Sequence, residues 1–292
     1  MSFLERIFGK KRLDYKKRFI LLKAAISGTM SDFYMAKDRE TGQIVGLKIL
    51  DPKKCNIVEE RYKNLKGVHK PREGEIATLF DHPYIVRTFE EGFTTDGEQY
   101  LVMEYLEGTG LNNILMIKQD MLAGGRIRYI RQCAEALQAV HKAGFIHRDY
   151  CPRNLLFTGD GAILKLTDFG LSIPNKSPFT DPGNRTGTPN YMAPELIRRR
   201  PTNERVDIFA FGVTMYEMCT RELPWPRGTN GLAAMTHDQQ PEPIEHYRPN
   251  IDPTLAKAIH WCLKADPKDR CPSMEAFLKM IQNVTYEEVV LY

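Results

Sequence analysis

The sequence predicts an α+β protein of two lobes, a small antiparallel β-sheet with one helix followed by a larger, mainly helical part. Three observations predict it. Short apolar runs bounded by turn residues fill the first 105 residues, which is the pattern of strands. After "GTG" at 108–110 the apolar residues recur at three and four, the helical period. Beyond residue 194 that helical spacing dominates the rest of the chain. With 292 residues and 42% hydrophobic content, the chain can bury cores of this size.

Taken in order, residues 1–16 form a basic extension in which Phe3, Leu4, Ile7 and Phe8 mix with Lys10, Lys11, Arg12 and Lys16. It reads as a solvated arm packed on its own domain, with a membrane-surface helix as the alternative; no Gly follows Met1, so no myristoylation signal is present. The first lobe is expected over 17–104. In it "RFILLKAAI", "DFYMAKD" and "IVGLKIL" read as strands, the last two joined by the turn "RETGQ". Residues 56–80 read as a helix interrupted by Gly67, Pro71 and Gly74, and "YIVRTFEEGF" and "QYLVMEYL" complete five strands. A connector follows at 105–110 and the second lobe at 111–282. There "RIRYIRQCAEALQAVHKAG" places Ile127, Ile130, Cys133, Ala134, Leu137 and Val140 on one helix face ended by Gly144, so Cys133 belongs to a core. "NLLF" and "ILKLTDF" are short strands, and residues 283–292 are either a tail or a last packed strand.

Charge is uneven. Residues 1–72 hold 18 Lys and Arg against 8 Asp and Glu, while the whole chain nets only +4. The N-terminal part therefore suits anionic partners: phosphate, nucleic acid, or an acidic protein or membrane surface in weak contact. Six scattered cysteines without a C-x-x-C pair argue against a disulfide framework or a zinc site and for a reducing compartment. No apolar run approaches the roughly 18 residues of a spanning helix, and the opening residues lack a secretory core, so a cytoplasmic location is expected.

A series of motifs runs through this frame: "VGLK" ending at Lys48, "HPYIV" at 82–86, "LVMEYL" at 101–106, "HRDYCPRN" at 147–154, "DFG" at 168–170, "GTPNYMAPE" at 187–195, "DIFAFG" at 207–212 and "DPKDR" at 266–270. In these residues and in this order, over about residues 20–282, the chain resembles the protein kinase family, and within it the bacterial eukaryotic-like Ser/Thr kinases. The resemblance implies the two-lobed protein kinase fold with helix C beside the sheet. It also implies ATP and Mg²⁺ as cofactors, protein Ser/Thr hydroxyls as acceptors, and no nucleic-acid partner.

Phosphoryl transfer asks a protein to position groups and neutralise charge. By the resemblance, Lys48 holds the α- and β-phosphates, Asp149 orients the attacking hydroxyl and accepts its proton, and Asn154 and Asp168 offer the hard oxygen ligands that Mg²⁺ prefers. His147 is structural. Lys48 needs an acidic partner; the spacing of nine residues before His82 selects Glu73, with Glu75 the second candidate. Glu195 is expected to pair with Arg270, and Asp207 to anchor the loop that carries Asp149. Arg148 calls for a counter-charge, for which phosphate on Ser177, Thr180 or Thr186 is one source. Thr188-Pro189 matches the Ser/Thr class of acceptors.

Several positions depart from the pattern. The glycine-rich phosphate loop falls on Ile26, Gly28 and Ser31, keeping one glycine of three. Phe33 stands where the family places Val over the adenine and Gly46 where it places Ala, an exchange that conserves volume. Leu156 is then the adenine floor and Met103 the back wall, with Glu104 and Leu106 on the strand leading into the connector. Cys151 replaces the lysine that contacts the γ-phosphate, and Arg153 is the candidate for the missing cation. A cation at 153 also predicts no preference for Arg just before the acceptor. Asp149 disfavours a Cys151 thiolate, which weighs against an oxidant-sensing cysteine. The degenerate loop keeps a second reading open, a pseudokinase scaffold with weak or no turnover; a small-molecule phosphotransferase is a third, not expected to carry the long segment from "DFG" to "APE".

Overall fold

The computed structural model describes residues 12–23, 26–27, 31–63, 68–117, 121–183, 185–225 and 236–285. They fall into two compact units, one running through His82 and resuming over Val86–Leu106, the other made of Pro83–Ile85 and the residues from Glu107 onward. The connector expected at 105–110 is thus divided, Tyr105 and Leu106 going with the first unit.

The first unit opens with α1 (Tyr15–Arg18) and β1 (Phe19–Leu21), β2 (Ile26–Ser27), β3 (Ser31–Asp38) and β4 (Ile44–Leu50). After α2 (Pro52–Lys63) and α3 (Glu73–Ala77) come β5 (Thr88–Phe93) and β6 (Gln99–Glu104). The strands form one antiparallel sheet in the order β1-β3-β4-β6-β5, with β2 paired to β3. Alternation of side chains turns Phe19, Ala36, Val45, Leu47, Ile49, Tyr100 and Val102 into one buried cluster. Arg18 ties its edge: Nη2 lies 2.9 Å from Asp38 and Nη1 2.8 Å from Glu90, whose Oε1 also accepts the Tyr100 hydroxyl at 2.5 Å. Part of the basic extension belongs to this unit, because Leu13 N–H donates to the Phe93 carbonyl at 2.9 Å and its carbonyl accepts Thr95 N–H at 3.0 Å. Residues 1–11 lie outside the described residues.

Three local expectations change. "RFILLKAAI" is two strands, β1 and β2, whose intervening residues 24 and 25 lie outside the described ones. The single helix expected over 56–80 is two: α2 begins earlier at Pro52, and α3 starts only after Pro71, behind Arg72. Arg72 N–H donates to Glu75 Oε2 at 2.9 Å and closes the start of α3. Gly74 does not interrupt the helix but sits inside it, where a Cβ would lie 2.5 Å from Glu91 Cβ; glycine is what lets α3 approach β5. "YIVRTFEEGF" becomes strand only from Thr88, since Ile85 bridges Leu166 in the second unit.

The second unit contains α4 (Leu111–Met116), α5 (Arg126–Lys142), β7 (Phe145–Ile146), β8 (Leu155–Phe157), β9 (Leu164–Leu166), β10 (Ile173–Pro174), α6 (Pro194–Ile197), α7 (Arg205–Thr220), α8 (Pro253–Cys262) and α9 (Met274–Met280). α5 buries the predicted face, Cys133 included, and ends just before Gly144. Every residue of α7 from Val206 to Cys219 is buried, which suits a helix apolar on nearly all sides. The start of the expected tail is docked: Val284 is buried, and Arg131 Nη2 donates to the carbonyls of Ile281, Gln282 and Val284 at 3.0, 3.2 and 2.8 Å. Residues 286–292 lie outside the described ones. Among the described residues no helix is long and apolar enough to cross a membrane.

Arg270 shows why this unit holds together. Its side chain is 0% exposed, and its donors all find acceptors: Glu195 at 2.7 and 3.0 Å and the carbonyls of Lys264, Arg205 and Ala265 at 2.9, 2.7 and 3.0 Å. The pairing with Glu195 is the one the motifs predicted. Glu195→Ala leaves a buried guanidinium without its counter-charge and is expected to cost the second unit about 3–5 kcal/mol. Urea unfolding followed by tryptophan fluorescence measures it, and a loss below about 1 kcal/mol contradicts this account of Arg270.

Candidate active site

In the first unit the site follows from strand register. Phe33 stands opposite Ile26 and Lys48, and Gly46 opposite Met103, so Phe33, Lys48, Gly46 and Met103 share one face of the sheet. Lys48 Nζ meets Glu73 Oε1 at 2.6 Å, with side chains only 12% and 5% exposed. Of the two carboxylates left open by spacing, Glu73 makes this pair, while Glu75 is engaged by Arg72. A Cβ on Gly46 would fall 2.7 Å from Phe33 Cζ and 3.1 Å from Met103 Cγ, so the Phe33 ring occupies the volume that Gly46 vacates. That ring also stacks on Tyr105, with centroids 6.4 Å apart and planes 13° from parallel. Ser31 opens β3. Glu104 is turned to structure, its Oε1 accepting Arg87 N–H at 2.7 Å, and Leu106 is half-buried. For Ile26 only the backbone in β2 is described, and Gly28 lies outside the described residues.

In the second unit the loop between β7 and β8 carries the other candidates. Buried Asp207 accepts the backbone N–H groups of His147 at 2.7 Å and Arg148 at 2.8 Å, as well as His141 Nε2 at 2.9 Å. Those bonds hold Arg148 in a left-handed conformation, φ 68°. His147 is 0% exposed; its ring meets the Phe169 ring edge-on at 5.3 Å and its carbonyl accepts the Ser172 hydroxyl at 3.2 Å, a structural placement. Asp149 comes next. Its Oδ1 accepts the Thr188 hydroxyl at 2.6 Å and the Thr188 N–H at 2.9 Å, and its Oδ2 accepts Asn154 Nδ2 at 3.1 Å and Arg153 Nη2 at 3.3 Å.

The same Asn154 amide donates to the Asp149 carbonyl at 2.8 Å, so carboxylate and carboxamide five residues apart close one turn. The β8–β9 hairpin pairs Leu155 with Leu166, and beyond it Thr167 N–H reaches the Asn154 carbonyl at 3.0 Å. Asp168, the next residue, is therefore brought beside Asn154. It has φ 67°, and its Oδ1 accepts Gly170 N–H at 3.3 Å. Leu156 is half-buried and bridges Gly110. Ser177 donates its hydroxyl to Asp181 Oδ2 at 3.3 Å, and Thr180 accepts Thr202 N–H on its carbonyl at 3.0 Å.

Two partners escaped the sequence reading. His141 sits one helical turn before Gly144 and carried no spacing signal toward Asp207, because that contact is made across 66 residues. Thr188 is a class marker in the sequence and, in the structure, a partner of Asp149 as well, for which its place in "GTP" is the available signal.

A family model described as the protein kinase domain matches residues 25–280. The chain belongs to this family. Among its relatives, a serine/threonine-protein kinase of Myxococcus xanthus is 30% identical over 95% of this chain and 51% of its own length. A probable serine/threonine-protein kinase of Clostridium perfringens is 28% identical over 91% of this chain and 38% of its own. The human hormonally up-regulated neu tumor-associated kinase is 31% identical over 84% of this chain and 34% of its own. The chain thus spans about half or less of the length of the relatives it matches.

Cys151 is 1% exposed, and burial first, then the charge of Asp149, push its thiol up to about 11. At pH 7.5 the group is therefore almost wholly the neutral thiol. Iodoacetamide at that pH is expected to leave Cys151 unmodified in the folded protein, as read by peptide mass mapping; rapid alkylation contradicts the assignment.

Proposed function

We propose that the chain is a protein serine/threonine kinase that transfers the γ-phosphate of ATP to Ser and Thr hydroxyls. The observation that carries this reading is the setting of Asp149, a buried carboxylate aimed by Thr188, Asn154 and Arg153 within the loop that Asp207 holds. The names of the two bacterial relatives support serine and threonine as acceptors.

In this reading Asp149 hydrogen-bonds the acceptor hydroxyl and takes its proton as oxygen bonds to phosphorus. Lys48, kept in place by Glu73, binds the α- and β-phosphates as a point charge. Arg153 supplies the cation that Cys151 does not. Asp168 and Asn154 are adjoining oxygen donors across the β8–β9 hairpin and fit Mg²⁺, which when bound neutralises phosphate charge. Phe33, over Gly46, forms the adenine roof of the first unit beside Met103, and Ile26, Gly28, Ser31, Glu104, Leu106 and Leu156 complete the proposed nucleotide contacts. The scaffold reading rests on the glycine-poor loop alone. Retention of Lys48, Glu73, Asp149, Asn154 and Asp168 favours turnover. Six free cysteines suit the cytoplasm as the setting.

Incubation with labelled ATP, Mg²⁺ and a generic protein substrate tests the proposal. Label is expected on Ser and Thr, reduced at least about a hundredfold in Asp149→Asn. Arg153→Ala is expected to lower kcat by about tenfold or more, and a near-normal rate removes Arg153 from this role. A protein inert toward every hydroxyl acceptor would sink the kinase reading.

Phe33→Val opens a gap over Gly46 and is expected to weaken ATP binding several-fold, on the order of 1 kcal/mol, measured by calorimetry. Unchanged affinity rejects the roof.

A further inference from the structure

We propose that the hydroxyls this chain phosphorylates stand among anionic side chains, and that Arg199 and Arg200, together with Arg153, select them. The inference rests on the kinase reading above and extends it to the chemistry of the substrate. The Arg153 guanidinium lies 3.3 Å from Asp149 Oδ2 and 3.2 Å from Thr188 Oγ1, yet its side chain is 57% exposed. A cation therefore faces solvent at the point an acceptor must approach.

More arginines follow on the segment that packs against Asp149 and Thr188. Met192, Ala193 and Leu196 line one small cavity with Asp149 and Thr188. α6 begins in this wall, and Arg198, Arg199 and Arg200 follow directly on its last residue, Ile197. Arg198 is spent on Asp238. Arg199 and Arg200 are exposed and held by backbone contacts: Arg199 Nη1 donates to the Gly183 carbonyl at 3.4 Å, and Arg200 N–H donates to the Glu195 carbonyl at 2.9 Å. Among the described residues no carboxylate pairs with Arg199, Arg200 or the exposed Arg185.

The carboxylates nearby are already committed. Glu195 faces Arg270 in the interior, Glu217 accepts the Tyr191 hydroxyl at 2.5 Å, Asp181 accepts Ser177 and Glu204 accepts Asn175. What remains toward solvent is an excess of positive charge, with Arg153, Arg185, Arg199 and Arg200 exposed against Asp181, whose only side-chain partner among the described residues is a neutral hydroxyl; the excess attracts carboxylate or phosphate on a substrate and repels Lys and Arg. Arg153 reaches a residue next to the acceptor; Arg199 and Arg200 reach residues farther along the peptide.

The test uses the full chain, Mg-ATP and one Ser-containing peptide made with glutamate, alanine or lysine flanks, each assayed for kcat/KM and, without ATP, for binding by fluorescence anisotropy. Glutamate flanks are expected to exceed lysine flanks about tenfold or more at low salt, with the gap narrowing as ionic strength rises. In the double variant Arg199→Glu, Arg200→Glu the ratio is expected to fall to about threefold or less while the alanine-flanked peptide stays within about twofold of the parent. Equal handling of the three peptides, or a ratio that survives in the double variant, overturns the proposal. A phosphoserine-flanked peptide separates the sources of anion: a rate at or below glutamate assigns carboxylates, and one well above it assigns a phosphorylated neighbour. If no peptide is phosphorylated, the labelled-ATP assay with the generic protein substrate decides the kinase reading, and the anisotropy decides the surface: selective binding of the glutamate peptide sustains it, and its absence ends it.

Discussion

The geometry of the candidate site depends on one buried carboxylate. Asp207 is 1% exposed, and an ion so far from water is tolerable only with its lone pairs filled. It takes two consecutive backbone N–H groups, from His147 and Arg148, and the ring of His141. Binding both N–H groups to one carboxylate fixes the chain direction there and sustains the left-handed Arg148. Asp149 therefore points where it does because of the backbone before it. Asp207 itself sits in the first turn of α7, a helix buried nearly throughout, so the aim of Asp149 is inherited from the hydrophobic core of the second unit.

A second layer of constraint acts on the Asp149 side chain. Thr188 approaches from 39 residues away and occupies one carboxylate oxygen with both its hydroxyl and its N–H; Asn154 and Arg153 share the other. Cys151 lies beneath, with the Thr188 hydroxyl 3.8 Å from its sulfur. A buried neutral thiol at that position costs no charge desolvation, whereas a buried cation there would. The positive charge stands instead on Arg153, whose long stem reaches the same carboxylate from the solvent side. Chain chemistry thus separates packing, carried by Cys151, from charge, carried by Arg153.

The sequence was most legible where one residue's chemistry or a regular period decides the outcome. Alternation located the main strands, three-and-four spacing located α5, and the ordered motifs located Lys48, Asp149, Asn154 and Asp168. Spacing also chose Glu73, which the Lys48 contact matches. Legibility failed where a distant segment decides. Gly74 looks like a helix breaker by propensity, yet contact with Glu91, 17 residues later, makes it a requirement of the helix. "YIV" has strand composition, but Ile85 and Tyr84 are taken by Leu166 instead of a sheet neighbour. His141 is an ordinary polar residue near a helix end until α7 brings Asp207 to it. Each failure is a tertiary contact overriding a local preference.

Phe33 and Gly46 lie between these cases, and they show how far a sequence argument can reach once register is known. Neither residue is informative alone: Phe33 is one more strand aromatic, and Gly46 weakens a strand by its missing side chain. The pairing of Met35 with Gly46 and of Phe33 with Lys48 makes the two diagonal neighbours on one face, close enough for an aromatic ring to span. A Cβ at 46 would then collide with that ring at 2.7 Å, so the large residue and the absent one specify each other. Volume alone predicts the compensation, and the contact makes it geometric. Tyr105 stacks alongside the ring, and Met103 borders the same space over Gly46. In the proposed nucleotide site such a ring is flat where an aliphatic pair would be lobed, and flatness is the property that a stacked base rewards.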